Sequence, residues 1–177
     1  MSNSKKAVIL VGHGGLPSDI PSEVVEKFMR VHKGRIKSGG PITQQEIELD
    51  TTIRKWERTP QNDPYKTGLE SLASHMEPML EGYILKTAYN EFCYPGIEDA
   101  VDELSKENVT KIVLLTTMIT RGGSHSENEI PEELSDISIK YPDIDIQYAW
   151  PYDMDVFASF LATHINEFNP LGAATTN

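Results

Sequence analysis

The sequence predicts a single α/β domain built on a four-stranded, mostly parallel sheet with helices on both faces. Three observations predict it. Short apolar runs and amphipathic stretches alternate as strand then helix four times, which calls for parallel strands joined by right-handed crossovers. The runs are continuous instead of alternating, as expected of strands covered on both faces. A length of 177 residues, 38% of them hydrophobic and 24% charged, suffices for one core and not comfortably for two. Residues 1–170 are read as one domain, and residues 171–177, within the small and polar stretch NPLGAATTN, as a flexible tail.

The elements follow in order. KKAVILV is a short apolar run ending in glycine and gives the first strand. PSEVVEKFMRVHKG is a helix, with Ser22 as N-cap and Val25, Phe28 and Met29 on one face. Regular alternation then stops, and residues of about 33–64 form an insertion ahead of the second strand. Within it KGRIKSGGP is a loop by its glycines and proline. TQQEIELDTTIRKWE is a helix, because Thr43 precedes Glu46 at capping-box spacing. RTPQNDPYKTG is a second loop, and LESLASHMEPMLE a helix with a proline near its end. YILKTAYN is the second strand, and PGIEDAVDELSKE the next helix with Pro95 in its first turn. TKIVLLTTM, IPEELSDISIKY, IDIQYAW and DVFASFLATHINEF complete the alternation.

Charge and composition exclude several functions. A net charge of −11 without a basic stripe argues against nucleic acid as a partner. An anionic small molecule would need a local basic exception on this acidic surface. The apolar opening run is broken by Gly-His-Gly, so neither a signal peptide nor a membrane span is expected there. One cysteine, Cys93, permits no internal disulfide, and a cytoplasmic setting is expected.

In an open parallel sheet, ligands bind beyond the carboxyl ends of the strands. Gly12-His13-Gly14-Gly15 follows the first strand and Asn90-Glu91-Phe92 the second. Arg121-Gly122-Gly123-Ser124-His125 follows the third, with Glu127 and Glu129 close behind, and Pro151-Tyr152-Asp153 the fourth. Two glycine-flanked histidines and a carboxylate thus meet one edge. A neutral imidazole is both a metal ligand and a proton acceptor, and two histidines with one glutamate and no cysteine suit an open, exchangeable metal position. Alone, each histidine also reads as a hydrogen-bonded turn residue. Glu127, Glu129, Glu132 and Glu133 also suit the positive end of a helix. GHGG lacks nucleotide-loop spacing. His32, His75 and His164 lie within predicted helices and carry no site.

VILVGHGG, AYNEFCYPGIEDAVDEL and KIVLLTTMITRGGSHSENEIPEEL occur in this order and resemble the three blocks of the type II tetrapyrrole chelatases, the small sirohydrochlorin cobalt-, iron- and nickel-chelatases of the CbiX and SirB type. The resemblance implies a chelatase-like three-layer sandwich. It implies a lyase that inserts divalent cobalt, iron or nickel, as substrate, into a sirohydrochlorin-type tetrapyrrole in cobalamin or siroheme biosynthesis, with no organic cofactor. His13 and His125 then hold the metal and accept pyrrole protons, with Glu91 as ligand or proton relay. Gly12, Gly14, Gly122, Gly123, Ser124 and Arg121 border the ring. Arg121 and Lys86 are basic candidates for its carboxylates, although Arg121 equally suits a salt bridge to Glu127 or Glu129. The insertion, with Trp56, Arg54 and Arg58, is either a lid over the ring or a helical hairpin at a dimer contact. Larger members have two lobes, so a one-lobed chain is expected to form a homodimer. Two other functions compete: a non-catalytic tetrapyrrole or metal carrier on the same fold, and a hydrolase or phosphotransferase with His13 as nucleophile.

Overall fold

The computed structural model describes residues 4–168; the tail read as flexible lies outside the described residues. Four strands, β1 (Lys5–Gly12), β2 (Tyr83–Tyr89), β3 (Val109–Thr116) and β4 (Asp145–Tyr148), form one all-parallel sheet in the order β2-β1-β3-β4. The helices are α1 (Ser22–Ser38), α2 (Gln44–Arg54), α3 (Pro64–Met76), α4 (Ile97–Lys106), α5 (Ile130–Lys140) and α6 (Met154–Glu167). β1 carries the burial expected of a central strand, with Ala7, Val8, Ile9, Leu10 and Val11 all buried.

The two faces of the sheet use alternate residues of the same strands, because strand side chains point to opposite sides in turn. On one face Ala7, Ile9 and Val11 join Ile112 and Leu114 beneath Ile97, Ala100, Val101 and Leu104 of α4 and Ile130, Leu134 and Ile137 of α5. On the other, Leu10 packs with Leu69 and Ala73 of α3, Tyr89 and Cys93. These are the three layers expected from the sequence. The order β2-β1-β3 means that the chain winds one way from β1 and the other way through β3, so the winding reverses beside β1.

Local expectations fared unevenly. The first helix does not stop near Gly34; α1 runs through the predicted loop to Ser38, and Gly39 ends it in the left-handed conformation with φ 64°. Its last turns are held from outside. Glu46 of α2, 1% exposed, accepts from Arg35 Nε at 2.8 Å and lies 2.8 Å from His32 Nδ1, which outweighs the small helix penalty of one glycine. Ser22 begins the helix but caps nothing, since Pro21 is the N-cap. Thr43 caps α2 by accepting from the Glu46 amide, as its position predicts, while the Glu46 side chain goes to α1 instead of closing a capping box. The second predicted loop is shorter than expected, because Asp63 caps α3 by accepting from the Lys66 amide and Pro64 occupies the first turn. Pro95 lies before the Gly96 N-cap of α4, not within the helix.

Glu46 generates a prediction. Burial alone would raise its pKa, but hydrogen bonds from His32 and Arg35 prevail and hold it below its ordinary 4.5. A carboxyl depressed on folding stabilises fully above its unfolded value and progressively less as pH falls through its folded one. Thermal melts are expected to be flat in this contribution at neutral pH and to drop below about pH 4.5. Glu46→Ala, which removes the acceptor shared by Arg35 and His32, should remove that acid limb and cost on the order of 2 kcal/mol in urea unfolding.

Candidate metal and ring-binding site

Register brings the site together. Gly12 pairs with Tyr89 at the carboxyl end of β1 and β2, and Val11 pairs with Thr116 of β3. The β1–β2 ladder then continues past the strands: the Asn90 amide donates to the Gly12 carbonyl at 2.9 Å and the Glu91 amide to the His13 carbonyl at 2.7 Å. His13 and Glu91 are in this way held side by side. Gly14, φ 95°, makes the approach possible, because a Cβ there would overlap the Glu91 carbonyl oxygen. His125 arrives from the far side of β1, on a π-helical turn (His125–Glu129) that runs directly into α5.

Metal-ligating atoms of His13, Glu91 and His125 all lie within 4.8 Å of one another. His13 Nε2 is 3.7 Å from Glu91 Oε2, and the two imidazoles meet edge to face with centroids 4.8 Å apart. All three are half-buried. Neighbouring acceptors assign the tautomers. His13 Nδ1 is 2.8 Å from the Gly14 carbonyl, which only accepts, so that nitrogen carries the proton and Nε2 keeps its lone pair. His125 Nδ1 is 2.8 Å from Glu129 Oε2, with the same consequence. Burial disfavours the charge of Glu129, yet the hydrogen bond from His125, with further hydrogen bonds from Asn90 and Ser124, holds its carboxyl below the ordinary range. Two imidazoles with free Nε2 lone pairs and one carboxylate are a ligand set for a divalent transition metal with open positions.

Two hollows flank this cluster. One of about 340 Å³ is lined by His13, His125, Thr117, Met118, Ile119 and Gly123. The other, about 570 Å³, lies between α1 and α2 and reaches Glu91 and Phe92; its walls include Phe28, Met29, Ile36 and Ile42 and its rim Lys33 and Lys37. Phe92 lines the larger hollow, with its ring 6.1 Å from His13 and 6.3 Å from Phe28.

The remaining residues singled out from the sequence fall in different places. Gly12 and Gly14 are buried, with the space beside Gly12 filled by Leu69 and Tyr65. Gly122, Gly123 and Ser124 are exposed on the loop before His125, and Arg121 lies 4.0 Å from Glu127, the salt bridge it equally suited. Lys86 is corrected as a ring contact: it sits mid-strand and is shared by Glu103 and Glu107, both on the far side from the ligands. Arg58 is corrected too. Arg58, with a side chain 6% exposed, donates to the carbonyls of Gly15, Ile53 and Phe92 and pairs with Asp63. Arg54 donates to the carbonyls of Asn90 and Cys93. The insertion thus clamps the loops of His13 and Glu91 from behind. Trp56 is turned to Asp19, to which its Nε1 donates at 3.0 Å. Cys93 is buried and burial raises its thiol pKa, which keeps it inert.

Sequence reasoning missed Asn90, Glu129 and Tyr65 as supports of the histidines. Tyr65 accepts from the His13 amide at 2.7 Å. Spacing alone contained the Glu129 signal, since positions four apart share one helix face and His125 is four residues away.

The CbiX family matches residues 61–159, more than half of the chain. A sirohydrochlorin ferrochelatase of Priestia megaterium is 25% identical over 87 residues, which are 49% of this chain and 32% of that protein, so the match spans about a third of the relative. A putative cobalamin (vitamin B12) biosynthesis CbiX protein from Marinobacter aquaeolei superposes with TM-score 0.55 at 14% identity, over 93% of this chain and 96% of its own. The sirohydrochlorin chelatase SirB from Bacillus subtilis subspecies spizizenii, in complex with cobalt, gives 0.52 at 18% identity over 92% of this chain and 50% of its own. SirB from Bacillus subtilis with Fe3+ gives 0.52 at 17% identity, over 94% and 48%. These structures share the fold with this chain, which corresponds to about half of SirB.

Glu129→Ala is expected to weaken Co2+ binding about 10- to 100-fold in a calorimetric titration, by releasing the His125 tautomer. Its melting temperature should hardly move, because Glu129 is exposed. Gly14→Ala, which forces Glu91 away from His13, should weaken the same binding and lower the melting temperature as well.

Proposed function

The chain belongs to the CbiX family, and from that premise we propose that it is a sirohydrochlorin-type chelatase, which inserts divalent cobalt, iron or nickel into a tetrapyrrole for cobalamin- or siroheme-type biosynthesis. The observation that carries the reading is the convergence of His13, His125 and Glu91 at the point where the winding reverses, between two open hollows.

Inserting a metal into the ring requires removing two pyrrole N–H protons and exchanging the metal's water for nitrogen ligands. The free Nε2 atoms of His13 and His125 serve both needs, as ligands to the incoming ion and then as proton acceptors within reach of the ring. Glu129 stabilises His125 as it takes up a proton, because its carboxylate already accepts from Nδ1. Glu91, beside His13, offers either a third ligand or a route for the second proton to solvent. Handing the metal over needs ligands that let go, and three donors with open positions are better suited to that than a closed four-ligand site.

The larger hollow supports the substrate class. A macrocycle with acidic side chains has a flat apolar body and an anionic rim. Phe28, Met29, Ile36 and Ile42 match the first, and Lys33 and Lys37 the second. Besides Arg35, which Glu46 claims, α1 carries Lys27, Arg30, Lys33 and Lys37, a local basic exception on a chain of net charge −11.

Following the ring's absorbance while Co2+ is added to the purified chain and sirohydrochlorin tests the reading. Metal insertion above the uncatalysed rate is expected, with His125→Ala slowing it by about 10²–10⁴-fold. Ring binding without faster insertion would identify a carrier instead. Lys33→Glu/Lys37→Glu is expected to raise KM for the ring several-fold and leave kcat nearly unchanged.

A further inference from the structure

His32 lies within α1, where the sequence pattern gives it no site, yet its imidazole is held in the manner of His125. Its Nδ1 is 2.8 Å from Glu46 Oε1, the arrangement that also orients His125 on Glu129. The imidazole stacks on Phe28, 20° from parallel with centroids 5.4 Å apart. It lines the larger hollow, with its side chain 33% exposed. A carboxylate only accepts, so Nδ1 carries the proton. Nε2 keeps its lone pair and has no hydrogen-bond partner among the described residues.

Fastening Glu46 does not require His32. Arg35 Nε already reaches both oxygens of that carboxylate, at 3.0 and 2.8 Å. Other charges around the hollow are matched as well, Arg35 by Glu46 and Arg54 by Asp50, while Glu91 belongs to the metal cluster. What the hollow offers to an anionic ligand is therefore Lys33, Lys37 and the Nε2 edge of His32. Two phenylalanine rings stand between His32 and His13, in ring-to-ring steps of 5.4, 6.3 and 6.1 Å through Phe28 and Phe92. A macrocycle centred on the metal ligands meets His32 with its periphery, not with its pyrrole nitrogens.

We propose that His32 is a substrate-binding residue that takes one peripheral carboxylate of the ring at Nε2, together with one proton from solvent. The proton forms a bond to the Nε2 lone pair and makes the imidazole a cation with two donors, one to Glu46 and one to the ring. Before the ring arrives, Arg35 alone balances Glu46. A second cation beside them is favoured once a second anion is present. This assignment rests on the reading of the hollow as the ring's site.

The probes are an octacarboxylate porphyrin without metal and the same porphyrin with its carboxylates converted to amides, each followed by absorbance on binding. His32→Ala is expected to weaken the carboxylate ring about tenfold and the amide ring less than about twofold. Equal weakening of both would make His32 a wall of the hollow and overturn the proposal. A second measurement uses the unaltered chain with 15N-labelled histidine at about pH 8, above the ordinary titration range of imidazole. The His32 Nε2 resonance, assigned by its loss in His32→Gln, should move to that of a protonated nitrogen with the carboxylate ring and stay in place with the amide ring. A bound carboxylate ring that leaves this resonance unmoved overturns the proposal too. Metal insertion with neither response sinks this assignment alone. Both responses without insertion sink only the chelatase reading, and a chain that binds no ring loses both.

Discussion

The parallel pairing of β1 with β2 on one side and β3 on the other is the constraint on which the rest depends. Parallel strands end together, so each loop that follows is delivered to the same edge. At that edge the β1–β2 ladder runs two hydrogen bonds beyond the strands, through Gly12–Asn90 and His13–Glu91. A slip of one residue would turn His13 or Glu91 to the opposite face. The site is a consequence of register first and of side-chain chemistry second.

Holding that edge open against collapse falls to the insertion. Arg58 and Arg54 cross from α2 and the loop after it to carbonyls of Gly15, Asn90, Phe92 and Cys93, the backbone on both sides of the ligands. Buried guanidinium groups suit this work, because their planar fork satisfies several carbonyls from one side chain while Asp63 balances the charge of Arg58. Phe92, held with φ 57°, is kept in that unfavourable conformation by the same contacts and lines the larger hollow. Glu46, in turn, fastens α2 to α1, so the basic face of α1 is fixed beside the site.

Polar satisfaction explains which cations were free for a ligand. The basic residues that the sequence offered as ring contacts, Arg54, Arg58, Lys86 and Arg121, all lie against carboxylates of the protein. What remains beside the cluster is the rim of α1. A basic residue's proximity in sequence says little about its availability, since a buried carbonyl or carboxylate claims it first.

Much was legible from the residues alone. Continuous apolar runs alternating with amphipathic stretches determined the α/β class, and the strand-end positions of His13, Glu91 and His125 placed three candidate ligands at one edge, because both are properties of local pattern. Tertiary structure decided the rest. It extended α1 past Gly34 because Glu46 lies ten residues or more beyond the turn it stabilises, and it turned Arg54 and Arg58 inward because their carbonyl partners come from other loops. Among the described residues it also left α6 apolar and exposed, which no pattern within that helix could reveal, since amphipathicity says that a face must be buried but not against which surface. Local pattern fixes what each segment requires; only the packed chain shows whether the same copy supplies it.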